Sequence, residues 1–392
     1  MGAMRHLVSR LVAASLAWLG AGCTFYTACP TNNGSGATSS MAGNGGSGAS
    51  GGTSANGGTS GMVVSGSWTN TTSNLASLKS ECGNLSFISS KPDEDLLIAG
   101  IAQAGLWSSQ DGGDSWQALG TGAGSDAIIN RTSAIVYDPA DTNRFWESGV
   151  YNLGGVYETK DDGLTFKWLG GVTHSDLVSI DFSDPDRKTL LAGGHEMPQT
   201  LNRSTDGGAH WGPIGSGLPL ATNCTTPLII DPQTYLVGCG GLEGGVTGIY
   251  RSTDGGTSWT SITTAGGTGA PLSASDGSIY WASATNAGLV RSTDQGQSFT
   301  EVVGAGVLKS LTPVELPDGR IAAVGSNAVL VSADQGATWT AVSPALPYND
   351  VVGLAYSAAQ KALFVWHFTC GAPPVQVPAD AVMKFPFDYT SM

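Results

Sequence analysis

The chain has 392 residues, a formal net charge of −14 and a sequence pI near 4.5; only 12% of its residues are charged, and 57 are glycine. That length allows one large β domain plus a tail. The acidic balance excludes nucleic-acid binding, which needs clustered Lys and Arg, and it excludes docking on anionic lipid through a basic patch.

The first segment in chain order, residues 1–22, reads as a processing signal outside the fold. Arg5 and Arg10 supply positive charge, and 11–21 is an apolar run too short for a typical membrane span. The sequence Leu19-Gly20-Ala21-Gly22-Cys23 resembles a bacterial lipobox, which implies lipidation of Cys23 and export to the outer membrane or cell surface. Cleavage as an ordinary secretory signal is the second reading. Residues 23–66 follow as a tether rich in Gly, Ser, Thr, Asn and Ala, unable to bury enough apolar surface to offset chain entropy. A head formed by 67–392 completes the expected layout.

Within the head, one motif recurs at intervals of about 40–50 residues, the signature of a repeat architecture. It reads Ser-x-Asp-x-Gly-x-x-Trp and occupies 109–116, 204–211, 252–259, 292–299 and 332–339, with Phe299 replacing Trp in the fourth of these; 159–166 is a looser copy beginning with Thr159. Its aspartates are Asp111, Asp161, Asp206, Asp254, Asp294 and Asp334. A short carboxylate can accept hydrogen bonds from its own turn, Gly supplies a backbone conformation other residues resist, and the aromatic ring fills space between sheets. These residues are therefore expected to be structural. The motif resembles the Asp-box (BNR) repeat of sialidases, sortilin-type receptors and xyloglucan-cleaving glycoside hydrolases. That resemblance implies a β-propeller with its boxes on the face away from the active site.

Between boxes each repeat spells four short strands. In the second, 134–137, 144–150, 155–158 and 167–169 are strand-like, with a turn at 138–143 and the box as a second turn. Residues 351–389 hold three more strands without a box, while 66–71 matches an outer strand with no inner strands before it. The expected fold is all-β: a seven-bladed propeller of four-stranded antiparallel blades, closed by pairing the first strand with the last. Closure removes the exposed sheet edges of an open six-bladed arc. Apart from Cys23 and Cys29, four cysteines remain, and export predicts pairing. Neighbouring strand positions predict Cys224–Cys239, and ring closure predicts Cys82–Cys370. Without Cys-x-x-Cys spacing no structural metal is expected, and no cofactor.

Loops joining blades, and those between second and third strands, emerge opposite the boxes. This mouth receives Arg131, Tyr151, Asn152, His174, Asp176, His195, Glu196, Glu243, Tyr348 and Asp350. Blade three is richest: His174 and Asp176 on one loop, His195 and Glu196 on the next. Such groups suit acid/base work, glycoside cleavage by a carboxylate pair, or polar recognition; equally, they could cap a strand and line a solvated loop. Tyr151, Tyr348 and Trp281 could stack on sugar rings, though Trp281 also fits blade packing, as do Trp146, Trp366 and His367.

Sialidase activity is not expected, since the arginine triad that grips a substrate carboxylate is missing and only Arg131 is well placed. Blade segments such as 138–143 and 249–256 resemble xyloglucanases more closely. That family, however, uses two propellers and a catalytic Asp before a Gly-Gly-x-Tyr strand, where 102–107 holds no carboxylate. Over 67–392 the chain also resembles photosystem II assembly factors, single seven-bladed propellers, at the level of box and blade. The expected function is a cell-surface module, monomeric, whose mouth binds a protein or polysaccharide without chemistry and which meets the membrane only through its lipid. The alternative is an inverting glycoside hydrolase with Asp176 and Glu196 as its pair.

Overall fold

Alternation of apolar and polar residues in short runs, broken by Gly, Asp and Pro turns, specifies strands throughout the head. In the computed structural model, residues 64–391 are described except 82–83, 93, 221, 241–245, 286–287, 303–306 and 370–374. They belong to the second of two compact units, 46–392. Cys23, Cys29, Glu243 and the expected Cys82–Cys370 pair lie outside the described residues.

Seven four-stranded antiparallel sheets follow one another around a propeller. From innermost to outermost strand, blade one runs Leu85–Ser90, Leu97–Ile101, Gly105–Ser109 and Gln117–Ala118, and blade two runs Arg131–Asp138, Asp141–Val150, Gly155–Thr159 and Lys167–Trp168. Blade three runs Ser175–Ile180, Leu190–Gly194, Leu201–Ser204 and Gly212–Pro213, and blade four runs Asn223–Ile229, Tyr235–Gly240, Gly248–Ser252 and Thr260–Thr263. Blade seven takes Gly353–Ser357, Ala362–Trp366 and Val382–Pro386 from the end of the chain. Its outer strand is Thr69–Asn70, paired as Thr69 with Lys384 and Asn70 with Met383. The expected closure is therefore present. It is reinforced by a small ribbon that joins Lys79–Ser80 to Val375–Gln376.

The core lies between blades. One apolar cluster fills each of the seven gaps, including the closing gap, where Leu85, Ile101 and Trp116 of blade one meet Phe364 and Trp366 of blade seven. Each gap is bounded by two sheets, so a single blade cannot bury its faces alone; cohesion comes from the ring.

The boxes are hydrogen-bonded turns. In blade four Ser252 Oγ donates to Asp254 Oδ1 at 2.8 Å and accepts from Gly256 N at 2.9 Å. Ser258 donates to the same carboxylate through its N–H at 2.9 Å and its hydroxyl at 2.6 Å. Gly256 has φ +88°, and a Cβ there would lie 2.7 Å from Ile214 Cδ1, so only glycine fits. The box ring turns into the gap between blades: Trp116 is buried and donates to Thr71 O at 3.1 Å, and Trp259 donates to Ile214 O at 2.9 Å. Cys224 and Cys239 stand directly opposite each other on adjacent strands of blade four and are disulfide-bonded.

Candidate functional site

Antiparallel order places the boxes at one end of the six sheets that carry them and the blade-to-blade loops at the other, so the mouth is built from strand ends. In blade three the innermost strand pairs Ser175 with Gly194 but Leu177 with Gly193, which makes Asp176 the extra residue of a β-bulge. A bulge re-aims its side chain. The innermost strands of blades one, two and four are irregular at the matching step, after Leu85, Thr132 and Cys224, where the extra residues are Ser86, Ser133 and Thr225. Only blade three among these four puts a charge there.

His195 follows the second strand of blade three and is buried. Its Nδ1 lies 2.9 and 3.1 Å from the two oxygens of Asp176, and its Nε2 lies 3.0 Å from the Tyr151 hydroxyl and 3.5 Å from Glu196 Oε1. Tyr151 donates to Glu196 Oε1 at 3.3 Å. A protonated imidazole completes a consistent series in which His195 donates to Asp176 and to Tyr151, and Tyr151 donates to Glu196. Burial opposes that charge, but the hydrogen bond and charge of Asp176, aided by Glu196, outweigh it and raise the His195 pKa. Burial and the charge of Glu196 push the Tyr151 phenol up to about 12, against Arg131. His174 packs edge-on against Tyr151 at 4.9 Å; burial and the nearby His195 lower its pKa.

Backbone strain gathers at the same place. Tyr151, Asn152 and Leu153 adopt φ of 56°, 38° and 65° in succession, and His174 and Glu196 adopt 52° and 54°. Non-glycine residues in the left-handed region are uncommon and concentrate at functional sites. The turn leaves Leu153 72% exposed at its tip. Asn152 donates to Glu81 Oε1 at 2.6 Å, and Gln103 donates to Glu81 Oε2 at 3.0 Å, tying this turn to blade one. The sequence reading overlooked Glu81, which carries no motif.

Arg131 sits over the Phe368 ring, 5.4 Å from its centroid. Next to Phe368, His367 lies between two carboxylates, with Nδ1 3.4 Å from Asp350 and Nε2 3.4 Å from Asp380. The expectation that His367 packs inside a strand is corrected: the strand ends at Trp366, and the imidazole turns into this cluster. Nor is Tyr348 an open stacking surface. Its ring lies 4.1 Å from His367, and its hydroxyl donates to Val365 O and Ala381 O. Trp281 is fully buried, as the blade-packing reading had it. The exposed large apolar side chains among the described residues are Ile129, Leu153, Leu164, Leu220, Val246, Val307 and the aromatic Trp168, whose backbone N–H donates to Asp126 Oδ2 at 2.8 Å.

Thus Arg131, Tyr151, Asn152, His174, Asp176, His195 and Glu196 gather around blades two and three, while Tyr348 and Asp350 form a second cluster at blade seven. No group of three or more His, Cys, Asp or Glu is arranged to hold a metal ion among the described residues. The His195 imidazole thus meets both carboxylates, Asp176 through Nδ1 at 2.9 Å and Glu196 through Nε2 at 3.5 Å.

No family model matches the chain. A curated xyloglucanase from a Paenibacillus species is 26% identical over 209 residues, 45% of this chain; the match spans about a fifth of that relative's length, 20%. Among solved structures, a GH74 enzyme from Niastella koreensis superposes with a TM-score of 0.58 at 17% identity, over 82% of this chain and 54% of that one. YCF48 bound to D1 peptide superposes with a TM-score of 0.54 at 13% identity, over 84% of this chain and 99% of its own. The extracellular domain of BT4673, a putative one-component system from B. thetaiotaomicron, gives 0.54 at 12% identity over 81% of this chain and 40% of its own. At these identities the structural likeness establishes the propeller fold.

Proposed function

We propose that the chain is an exported recognition module whose mouth binds a protein or polysaccharide partner without turning it over. One observation carries this reading: the buried His195 imidazole lies between Asp176 and Glu196, hydrogen-bonded to the first and joined to the second through Tyr151. A hydrolytic pair needs room between its carboxylates for the scissile bond. Here a side chain fills that room and holds both carboxylates in place, an arrangement suited to presenting a fixed polar surface. The strained turn at 151–153, with Leu153 at its tip, adds an apolar contact beside it. Two comparison proteins fit such a role, one described as bound to D1 peptide and one as the extracellular domain of a putative one-component system. The lipobox-like Cys23 and the Cys224–Cys239 disulfide favour an exported head presented on a lipid anchor.

Binding of the purified protein to a polysaccharide panel and to peptide libraries tests this reading. Tyr151→Ala and Leu153→Ser are expected to weaken the partner found at least tenfold. Lys188→Ala, at a turn on the box face, should leave binding unchanged. The second reading, an inverting glycoside hydrolase using Asp176 and Glu196, is favoured by the xyloglucanase similarity. Turnover of any polysaccharide that disappears in Glu196→Gln would overturn the non-catalytic reading.

A further inference from the structure

Behind the mouth, between blades one and two, lies a polar group that the recognition reading does not use. Asn130, Thr132 and Glu147 are at most 1% exposed. Two glycines make space for them: a Cβ on Gly149 would lie 2.4 Å from the Asn130 side chain, and one on Gly100 of blade one would lie 2.5 Å from Thr132 Cβ. Asn130 Nδ2 donates to Glu147 Oε2 at 3.2 Å. The opposite ends of the same two planar groups, Asn130 Oδ1 and Glu147 Oε1, have no hydrogen-bond partner, and neither does Thr132 Oγ1. If Glu147 is ionised, both orphaned oxygens are acceptors, and a buried acceptor without a donor destabilises the fold. A single hydrogen on the carboxyl resolves the conflict, because a carboxylic acid and a primary amide are complementary in two parallel bonds.

We propose that Glu147 and Asn130 form a buried proton-binding site, an acid–amide pair in which Glu147 Oε1–H donates to Asn130 Oδ1 while Asn130 Nδ2 donates to Glu147 Oε2. The surroundings agree. From the innermost strand comes Thr132, from the residue before that strand Asn130, and from blade one Gly100, none of them ionisable. From the third strand comes Tyr157, the register partner of Glu147. No cation acts on the carboxyl; burial raises its pKa to about 8, only partly opposed by the hydrogen bond from Asn130. Tyr157 in turn is pushed up to about 12 by burial and by the charges of Glu147 and Asp126. The site sits at the root of the mouth: Asn130 precedes Arg131, and Tyr157 donates to Leu153 O at 2.9 Å in the strained turn.

Glu147→Gln tests the pair, since an amide keeps both hydrogen bonds at every pH. Folding of the wild type takes up one proton between the unfolded carboxyl value near 4.5 and the folded value near 8. Its folding constant should therefore fall by about tenfold per pH unit across that window relative to the variant, with the two proteins converging near pH 4 and the variant more stable at pH 8. An infrared difference spectrum, wild type minus variant, should show a protonated carboxyl stretch at about pH 6 that vanishes above pH 8. Equal pH slopes, a variant less stable than wild type at neutral pH, or no such band at pH 6 would overturn the proposal. The infrared measurement on wild type stands even if the variant fails to fold.

Discussion

The ring of Trp68 lies 5.4 Å from that of Phe385, although the two residues come from opposite ends of the propeller sequence. Trp68 also donates to Ala345 O at 2.9 Å, so one side chain fastens the first strand to the last two blades. Trp68→Ala should lower unfolding free energy by about 2–4 kcal/mol, within the range for large aromatic truncations at a half-buried site. Because it frees the edge of Val382–Pro386, it should also promote association. Chemical denaturation and light scattering measure the two effects; an unchanged midpoint with no aggregation would contradict the closing role.

Acid unfolding should reflect the boxes. Asp254 is held near about 2 by the Ser258 hydroxyl, the Ser258 N–H and then Ser252, and Asp111, Asp206 and Asp334 are similarly depressed to about 2. A depressed carboxylate stabilises the fold above its unfolded pKa and loses that contribution as pH falls through its folded value. Stability should therefore drop steeply between about pH 4 and pH 2, with several protons taken up together. Asp254→Asn should be less stable than wild type at neutral pH and show a shallower acid slope by circular dichroism.

The Cys224–Cys239 bond closes a loop with a sequence separation of 15. Loop-closure entropy assigns it about 3 kcal/mol. Cys224→Ser with Cys239→Ser, or reduction of the wild type, should lower stability by about that amount while leaving the β-sheet circular dichroism intact. An effect below about 1 kcal/mol would show that blade four is held by packing alone.

His195 should titrate above the ordinary histidine value near 6.5, and Asp176→Asn should bring it down. A raised folded pKa gives stability that is complete below the unfolded value and lost as pH rises through the folded one. The variant should thus lose more stability at pH 5.5 than at pH 8.5. Ring-proton NMR of His195 follows the titration directly, and an unchanged midpoint in Asp176→Asn would remove the carboxylate as its partner.

Much of the fold was legible in the sequence because its determinants are local. The hydroxyl and carboxylate of each box bond within the motif itself, so motif, turn and strand follow from local sequence. The seventh blade and the Cys224–Cys239 pair were legible by counting strands and their register. The site was legible only as a set of mouth residues. That His195 would enter the gap between Asp176 and Glu196 depends on a β-bulge at Asp176 and on Tyr151 in a left-handed turn, and neither has a sequence signature. His367 was misplaced because a strand's last residue is not fixed by its pattern, and one position decides whether a side chain packs inside the blade or turns to the mouth. Glu147 carries no motif within the 144–150 strand; its burial becomes visible only in the packing, where Gly100 of blade one lies against Thr132. By itself the sequence determined the repeat and the turns, which are set by neighbours along the chain, and the closure, which follows from counting the strands left over at the two ends. Tertiary structure alone decided which carboxylates share a histidine and which is sealed from water, because those depend on contacts between blades that are distant in sequence.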